Sequence, residues 1–334
     1  MVSTSIEGMQ PTSDSQFQAA AGDGVPPLEQ VRDGLFCYGL RQPGTLPHFT
    51  LSYVLVDARG GVHLIDTGWD TDENWAGLGE VLGTLERSLS DVSSVTVTHL
   101  HPDHLGMAAR IRAATGAPVA LHRIEQDGID ELSAPLADEE VLARLAGWGV
   151  PDDRRAELLQ AAHLRSRWPS FTADRLLEDG ELLDIPGRAV RAVHTPGHTA
   201  GHLAFVDDEW DVVFLGDLLL PNQFPGIGLG GTPDGSPIDH YLASLAVVSE
   251  LDAFEALPGH GYRFTGIAQR SAETASHHEN RTSEVAALRD PSSTVWDVAS
   301  QLTWTAGWSN LSGLPLLSAL SQTSLHEERA ARWI

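Results

Sequence analysis

Thr98-His99-Leu100-His101-Pro102-Asp103-His104-Leu105-Gly106 gathers three imidazoles and a carboxylate into a six-residue span. His99 and His101 stand two apart. If Ser94-Val95-Thr96-Val97-Thr98 is a buried strand, both leave its end pointing the same way and can share one metal ion. Pro102 breaks the strand, so Asp103 and His104 follow in a turn where they can face a second ion. A solvated His-rich loop is the plainer alternative, but clustering imidazoles beside an apolar strand brings no packing benefit.

Working outward, other apolar runs also end in metal-binding side chains. Gly61-Val62-His63-Leu64-Ile65-Asp66-Thr67-Gly68 ends a strand in Asp66, and Arg188 to Val193 leads to His198 on the Pro196-Gly197 turn. Val212-Val213-Phe214-Leu215-Gly216-Asp217 ends in a carboxylate, and Leu257-Pro258-Gly259-His260-Gly261 in an imidazole. A rigid strand feeding such a side chain into a glycine-rich loop is how a preorganised site is built.

With these five signatures in order from Asp66 to His260, the chain resembles the metallo-β-lactamase superfamily over roughly Leu28 to Arg270. The resemblance implies an α/β fold, the four-layer αββα sandwich, with a helical insertion and a small, mostly helical C-terminal region. It places His99, His101 and His198 on a first metal ion and Asp103, His104 and His260 on a second, with Asp217 bridging them. Asp66 matches the family's acid that orients a ligand imidazole or loop without touching metal. The donors are nitrogen and oxygen only, so two Zn2+ are expected, with Mn2+ or Fe2+ acceptable. His194 and His202 flank His198 and read as hydrogen-bonding neighbours. His277 and His278 read as helix surface. His48, His63, His122, His163, His240 and His326 have no constellation around them.

Two adjacent cations lower the pKa of a bridging water from about 15.7 to about 7, which supplies hydroxide without a nucleophilic side chain. Asp103 is then the expected proton shuttle to the leaving group. No GxSxG elbow competes, and Cys37 in Leu35-Phe36-Cys37-Tyr38 reads as a small buried hydrophobe.

At 334 residues and 42% hydrophobic content the chain can bury a sizeable core. Residues 1–26 read as a disordered leader, 27–272 as the catalytic domain, and 273–334 as a C-terminal helical, winged-helix-like region. Within the catalytic domain, about 123–179 reads as a helical insertion. There Val141, Leu142, Leu145 and Trp148 share a face, Gly149 is a C-cap and Pro151 opens a second helix; with Trp168 and Phe171 it is expected to cover the metal cleft as a lid. The tail's Trp296, Trp304 and Trp308 read as core.

All 21 cations are arginine, and the formal net charge of −25 opposes binding to nucleic acid or acidic membranes. A single cysteine excludes an internal disulfide and fits the cytoplasm. No apolar run reaches the roughly 18 residues of a membrane span. The expected partner is a small-molecule substrate, and the oligomeric state is open, a homodimer included. The expected function is a binuclear metal-dependent hydrolase using a metal-bridging hydroxide on an ester-type carbonyl, a thioester or lactone with a bulky apolar part, since Phe224-Pro225-Gly226-Ile227 follows Asp217 closely. The alternatives are an RNA or phosphodiester nuclease of the tailed branch, a metal-dependent metabolite-binding sensor and an iron oxygenase.

Overall fold

Leu51, Tyr53 and Leu55 alternate with Ser52, Val54 and Val56, and this period of two sets both the strand and the destination of each face. The computed structural model describes residues 8–22, 24–44, 47–165 and 171–333. Within them, β1 (Gln10–Pro11) and α1 (Asp14–Ala21) precede an antiparallel run of β2 (Glu29–Arg32), β3 (Leu35–Arg41), β4 (Phe49–Val56) and β5 (Val62–Ile65). Helix α2 (Asp72–Thr84) crosses to β6 (Val92–Thr96); α3 (Pro102–Leu105) and α4 (Ala108–Thr115) lead on to β7 (Val119–His122). After α5 (Arg123–Ser133), α6 (Asp138–Gly147) and α7 (Asp152–Arg165), β8 (Arg175–Leu177) pairs with β7 and completes a seven-stranded sheet ordered β2 to β8.

The other sheet takes β9 (Arg191–His194), β10 (Leu203–Asp207) and β11 (Val212–Gly216), then, after α8 (Pro237–Ser249), β12 (Glu255–Pro258) and β13 (Phe264–Thr265). Its order is β1-β13-β12-β11-β10-β9. Helices α9 (Ile267–Leu288), α10 (Val295–Gln301) and α11 (Gly313–Ala330) follow.

Alternation distributes these strands into four layers. Leu51, Tyr53 and Leu55 meet Phe205, Phe214 and Leu257 between the sheets, where Tyr53 and Phe214 pack edge to face at 5.1 Å. On the outer side of the first sheet, Val54 and Leu64 meet Leu78, Leu82 and Ile111 of α2 and α4. Val213 and Leu215 meet Tyr241 and Leu245 of α8 and Ile267 of α9. The αββα sandwich expected from the sequence is therefore the architecture observed.

Several expectations need correction. Much of the supposed disordered leader is ordered: β1 pairs with β13, and Ser13 caps α1 by accepting from the Gln16 N–H at 3.1 Å. Buried Gln16 accepts from the Arg263 N–H at 3.0 Å, so a polar stretch docks through hydrogen bonds that hydropathy cannot register. The insertion is not wholly helical, because β8 returns to the sheet. Its apolar face is covered not by the metal cleft but by the C-terminal helices, with Val141, Leu145 and Leu158 against Val295, Leu316 and Leu320. Leu142 points outward, 36% exposed. Phe171 joins the core beneath Arg112, and Trp168 lies outside the described residues.

His278, read as helix surface, and His326, read as lacking any constellation, are buried together between α9 and α11 with stacked rings at 6.1 Å. Burial, aided by His277, Arg281 and Arg329, pushes both down to about 3 from an ordinary value of 6.5. A depressed pKa in the folded state means that their stabilising contribution is complete above about 6.5 and is lost as pH falls toward 3. The thermal midpoint should therefore drop on acidification through this window, and a His278→Gln variant should show a shallower drop. Parallel melting curves for the two proteins would show no difference if the imidazole is not buried neutral.

Candidate metal centre

Strand β6 ends at Thr96, two residues earlier than the sequence suggests: the Val97 N–H still reaches the Ala120 carbonyl at 2.9 Å, but the Thr98 N–H turns to the Asp66 carboxylate. Asp66 Oδ1 accepts from the Thr98 N–H at 2.8 Å, and Oδ2 accepts from the Thr98 hydroxyl at 2.9 Å and from His104 Nδ1 at 2.7 Å. Asp66 sits at φ +59°, a left-handed conformation costing on the order of 1–3 kcal/mol. The adjoining Thr67 N–H and hydroxyl both donate to the His104 carbonyl, at 2.7 and 2.9 Å. This turn thus fixes both ends of the His99 to His104 segment. Pro102 opens α3 with His101 as its cap, which swings Asp103 and His104 inward.

Two groups of donors result. His99, His101, His198 and Asp217 form one and Asp103, His104 and His260 the other; within each group the ligating atoms lie within 4.8 Å of one another. Asp217 faces both: Oδ1 is 3.5 Å from His104 Nε2 and 3.5 Å from His260 Nε2, while Oδ2 is 3.6 Å from His198 Nε2. All seven residues assigned from the resemblance are brought together, and Asp66 stands behind them.

Each candidate ligand imidazole is oriented by its other nitrogen. His99 Nδ1 meets the Thr98 hydroxyl at 3.0 Å, His101 Nε2 the Leu229 carbonyl at 3.2 Å, His198 Nδ1 the Gly226 carbonyl at 2.8 Å, and His260 Nδ1 the Phe49 carbonyl at 2.8 Å. Tautomers follow from these acceptors. Glycine makes room for this convergence: a Cβ on Gly259 would lie 2.6 Å from Asp217 Oδ1 and 2.6 Å from His104 Cε1.

The residues fit a pair of divalent cations on a structural test. His104 Nε2 and Asp217 Oδ1 are buried, face one another and lack a hydrogen-bond partner among the described residues. Such orphans are costly unless something else satisfies them. Electrostatics agree. Burial alone would lower His104 and His260, yet the carboxylates of Asp66, Asp103 and Asp217 raise His104 to about 9, and those of Asp217 and Asp103 hold His260 well above its ordinary value. In the first group, burial and neighbouring imidazoles keep His99 well below the usual range and His101 at about 3. Negative charge thus outweighs positive around the second group, while the first presents neutral imidazoles.

His202 holds the shared carboxylate's backbone: its Nε2 accepts from the Asp217 N–H at 3.2 Å, and its Nδ1 donates to the Thr195 hydroxyl at 2.9 Å. His194 lies apart, stacked on His122 at 4.4 Å. Sequence reasoning missed Gln42, which donates to Asp103 Oδ2 at 3.0 Å, and above all Glu125. That carboxylate is fully buried, accepting from the Leu100 N–H at 2.6 Å and the Gly201 N–H at 2.7 Å. It ties the His99–His101 loop to the His198 loop. A lone acid in the first turn of α5 carries no sequence signal beyond helix-terminus charge.

Known proteins bear on this geometry. The metallo-beta-lactamase superfamily model matches residues 45–260. The probable metallo-hydrolase YqjP of Bacillus subtilis is 28% identical over 249 residues, 72% of this chain and 76% of that protein. The lactamase-like protein nscB of Aspergillus fumigatus is 26% identical over 218 residues, 65% of this chain, and the chain spans 50% of nscB's length. A metallo-beta-lactamase family protein of Thermus thermophilus superposes with a TM-score of 0.76 at 29% identity, over 91% of this chain and 95% of that one. The matched segment contains every residue of the two donor groups, and the chain belongs to the metallo-beta-lactamase superfamily of metal-dependent hydrolases.

Proposed function

We propose that the chain is a binuclear hydrolase of ester-type carbonyls, a thioester or lactone whose acyl part is bulky and apolar. The observation that carries the reading is the convergence of seven ligands into two groups sharing Asp217. Zinc is the proposed resident ion, since the donors are imidazole and carboxylate; manganese and iron accept the same ligands. When bound, two such cations supply a hydroxide nucleophile at neutral pH.

The chain's own residues do the rest. Asp103 Oδ2, steadied by Gln42 and 3.1 Å from His260 Nε2, is placed to take a proton from attacking water and return it to the leaving group. Phe224 and Pro225 supply apolar surface beside the ligand His198, whose Nδ1 is held by the next residue, Gly226. Cys37, buried and unbridged, suits a reducing compartment such as the cytoplasm. Among the described residues no helix is long and apolar enough to cross a membrane.

Metal analysis by inductively coupled plasma mass spectrometry should find about two zinc ions per chain, fewer in a His101→Ala variant. Panels of acyl thioesters and lactones should then show metal-dependent turnover. A metal-replete protein that turns over neither class would overturn the ester reading, and one iron per chain with oxygen consumption would replace it with oxygenase chemistry.

A further inference from the structure

Beside the metal centre lies a cleft of about 780 Å³, walled by the 222–226 loop, α9, the connection between α10 and α11, and α11 itself. It adjoins the centre through Phe49 and Gly226, the residues whose carbonyls hold the ligands His260 and His198. Its walls are aromatic: Phe224 stacks on His277 with centroids 4.0 Å apart, and Trp304 lies under the Arg281 guanidinium at 5.2 Å.

The charge of this cleft inverts that of the protein. The chain carries 46 acidic residues against 21 arginines, yet none of the described residues lining the cleft is Asp or Glu. Its titratable side chains are Arg281 and the imidazoles of His48, His277, His278 and His326. Arg281 is the permanent cation, and it is held in place. Its Nη2 donates to the Thr303 carbonyl at 2.8 Å, and Nη1 lies 3.3 Å from the half-exposed Glu284, a pairing that solvent screens.

A second observation points to an occupant. His278 is only 4% exposed, lines the cleft, and has no hydrogen-bond partner at either ring nitrogen among the described residues. A buried imidazole left unpaired is destabilising unless a ligand completes it. Beside a fixed guanidinium whose one carboxylate neighbour, Glu284, stands outside the described lining, the complementary group is an acceptor bearing negative charge.

We propose that this cleft is the recognition subsite for an oxyanion, a carboxylate or phosphate at the end of the substrate remote from the bond cut, with Arg281 as its cation and His278 as a donor. The proposal rests on the hydrolase reading above. Phe224, Pro225 and Trp304 then flank the carbon chain that joins the oxyanion to the scissile carbonyl.

The test compares hexanoyl, 5-carboxypentanoyl and 6-phosphooxyhexanoyl thioesters of N-acetylcysteamine on the metal-loaded enzyme. One anionic thioester, or both, should have a KM about tenfold or more below the neutral one, as a charge-assisted contact provides, and whichever does so identifies the oxyanion. This preference should fall toward unity in Arg281→Gln, and also in Thr305→Glu, which adds a carboxylate at the exposed rim without disturbing the packing of Arg281. Thermal midpoints confirm that the variants fold. Equal KM values across the three thioesters in the unmodified enzyme would overturn the proposal. If no thioester is turned over, the hydrolase reading is what fails, and calorimetric titration of the metal-loaded protein with monomethyl adipate and with 6-phosphooxyhexanoate methyl ester decides the subsite separately. Binding about tenfold weaker in both variants supports it, and affinity unchanged by either substitution overturns it.

Discussion

Replacing Asp217 with asparagine is expected to leave less than one metal ion per chain after desalting and to lower turnover by more than about a hundredfold. Partners that merely orient a ligand are worth about 10–100-fold in metal affinity, and Asp217 does more than orient. Its two oxygens address the two donor groups from opposite sides, Oδ1 toward His104 and His260 and Oδ2 toward His198. An amide retains the shape but removes the charge and turns one face into a donor, which opposes a cation. Metal content by mass spectrometry and an activity assay on the same preparation check this; two ions retained in the variant would remove Asp217 from the bridging role.

A Glu125→Gln variant should lose the first ion selectively, with affinity there reduced about 10–100-fold and the second ion kept. Burial drives the Glu125 carboxyl up to about 7, although the Leu100 and Gly201 N–H groups favour its ionised form. Glutamine presents an NH2 group to one of those N–H donors, leaving it unsatisfied at a cost of about 1–3 kcal/mol. The strain falls on Leu100, between His99 and His101, and on Gly201, three residues past His198. All three imidazoles belong to the first group, whereas His104 and His260 are held by Asp66 and the Phe49 carbonyl. Isothermal titration of metal into the stripped variant should show one tight and one weakened site; uniform weakening would mean that Glu125 supports the fold at large.

The sequence made the candidate ligands legible because their chemistry is local: imidazoles and carboxylates at strand ends, next to glycines, have few other uses. Layering was legible too, since runs such as Leu51 to Leu55 carry the period of two. What escaped was long-range and polar. Glu125 meets Gly201 across 76 residues, and Gln16 meets Arg263 across 247; neither pairing leaves a mark in hydropathy. The polar neighbours of His278 in the sequence point to a surface position, yet α9 turns that face toward α8 and α11. The insertion's apolar stripe was visible, but periodicity cannot say what covers it, and α10 and α11 rather than the metal cleft do so.

Each donor group draws on both halves of the sandwich: His99 and His101 with His198 and Asp217, and Asp103 and His104 with His260. Neither half can complete a site alone, and the last ligand lies far down the chain from the first. At roughly 5–20 residues per second of synthesis, about ten to thirty seconds separate the emergence of His99 from that of His260. Throughout that interval the nascent chain exposes imidazoles able to bind stray ions, but no completed pair. The second donor group is therefore incomplete until translation has passed β12, and an interrupted product ending before it would carry the first group but lack His260.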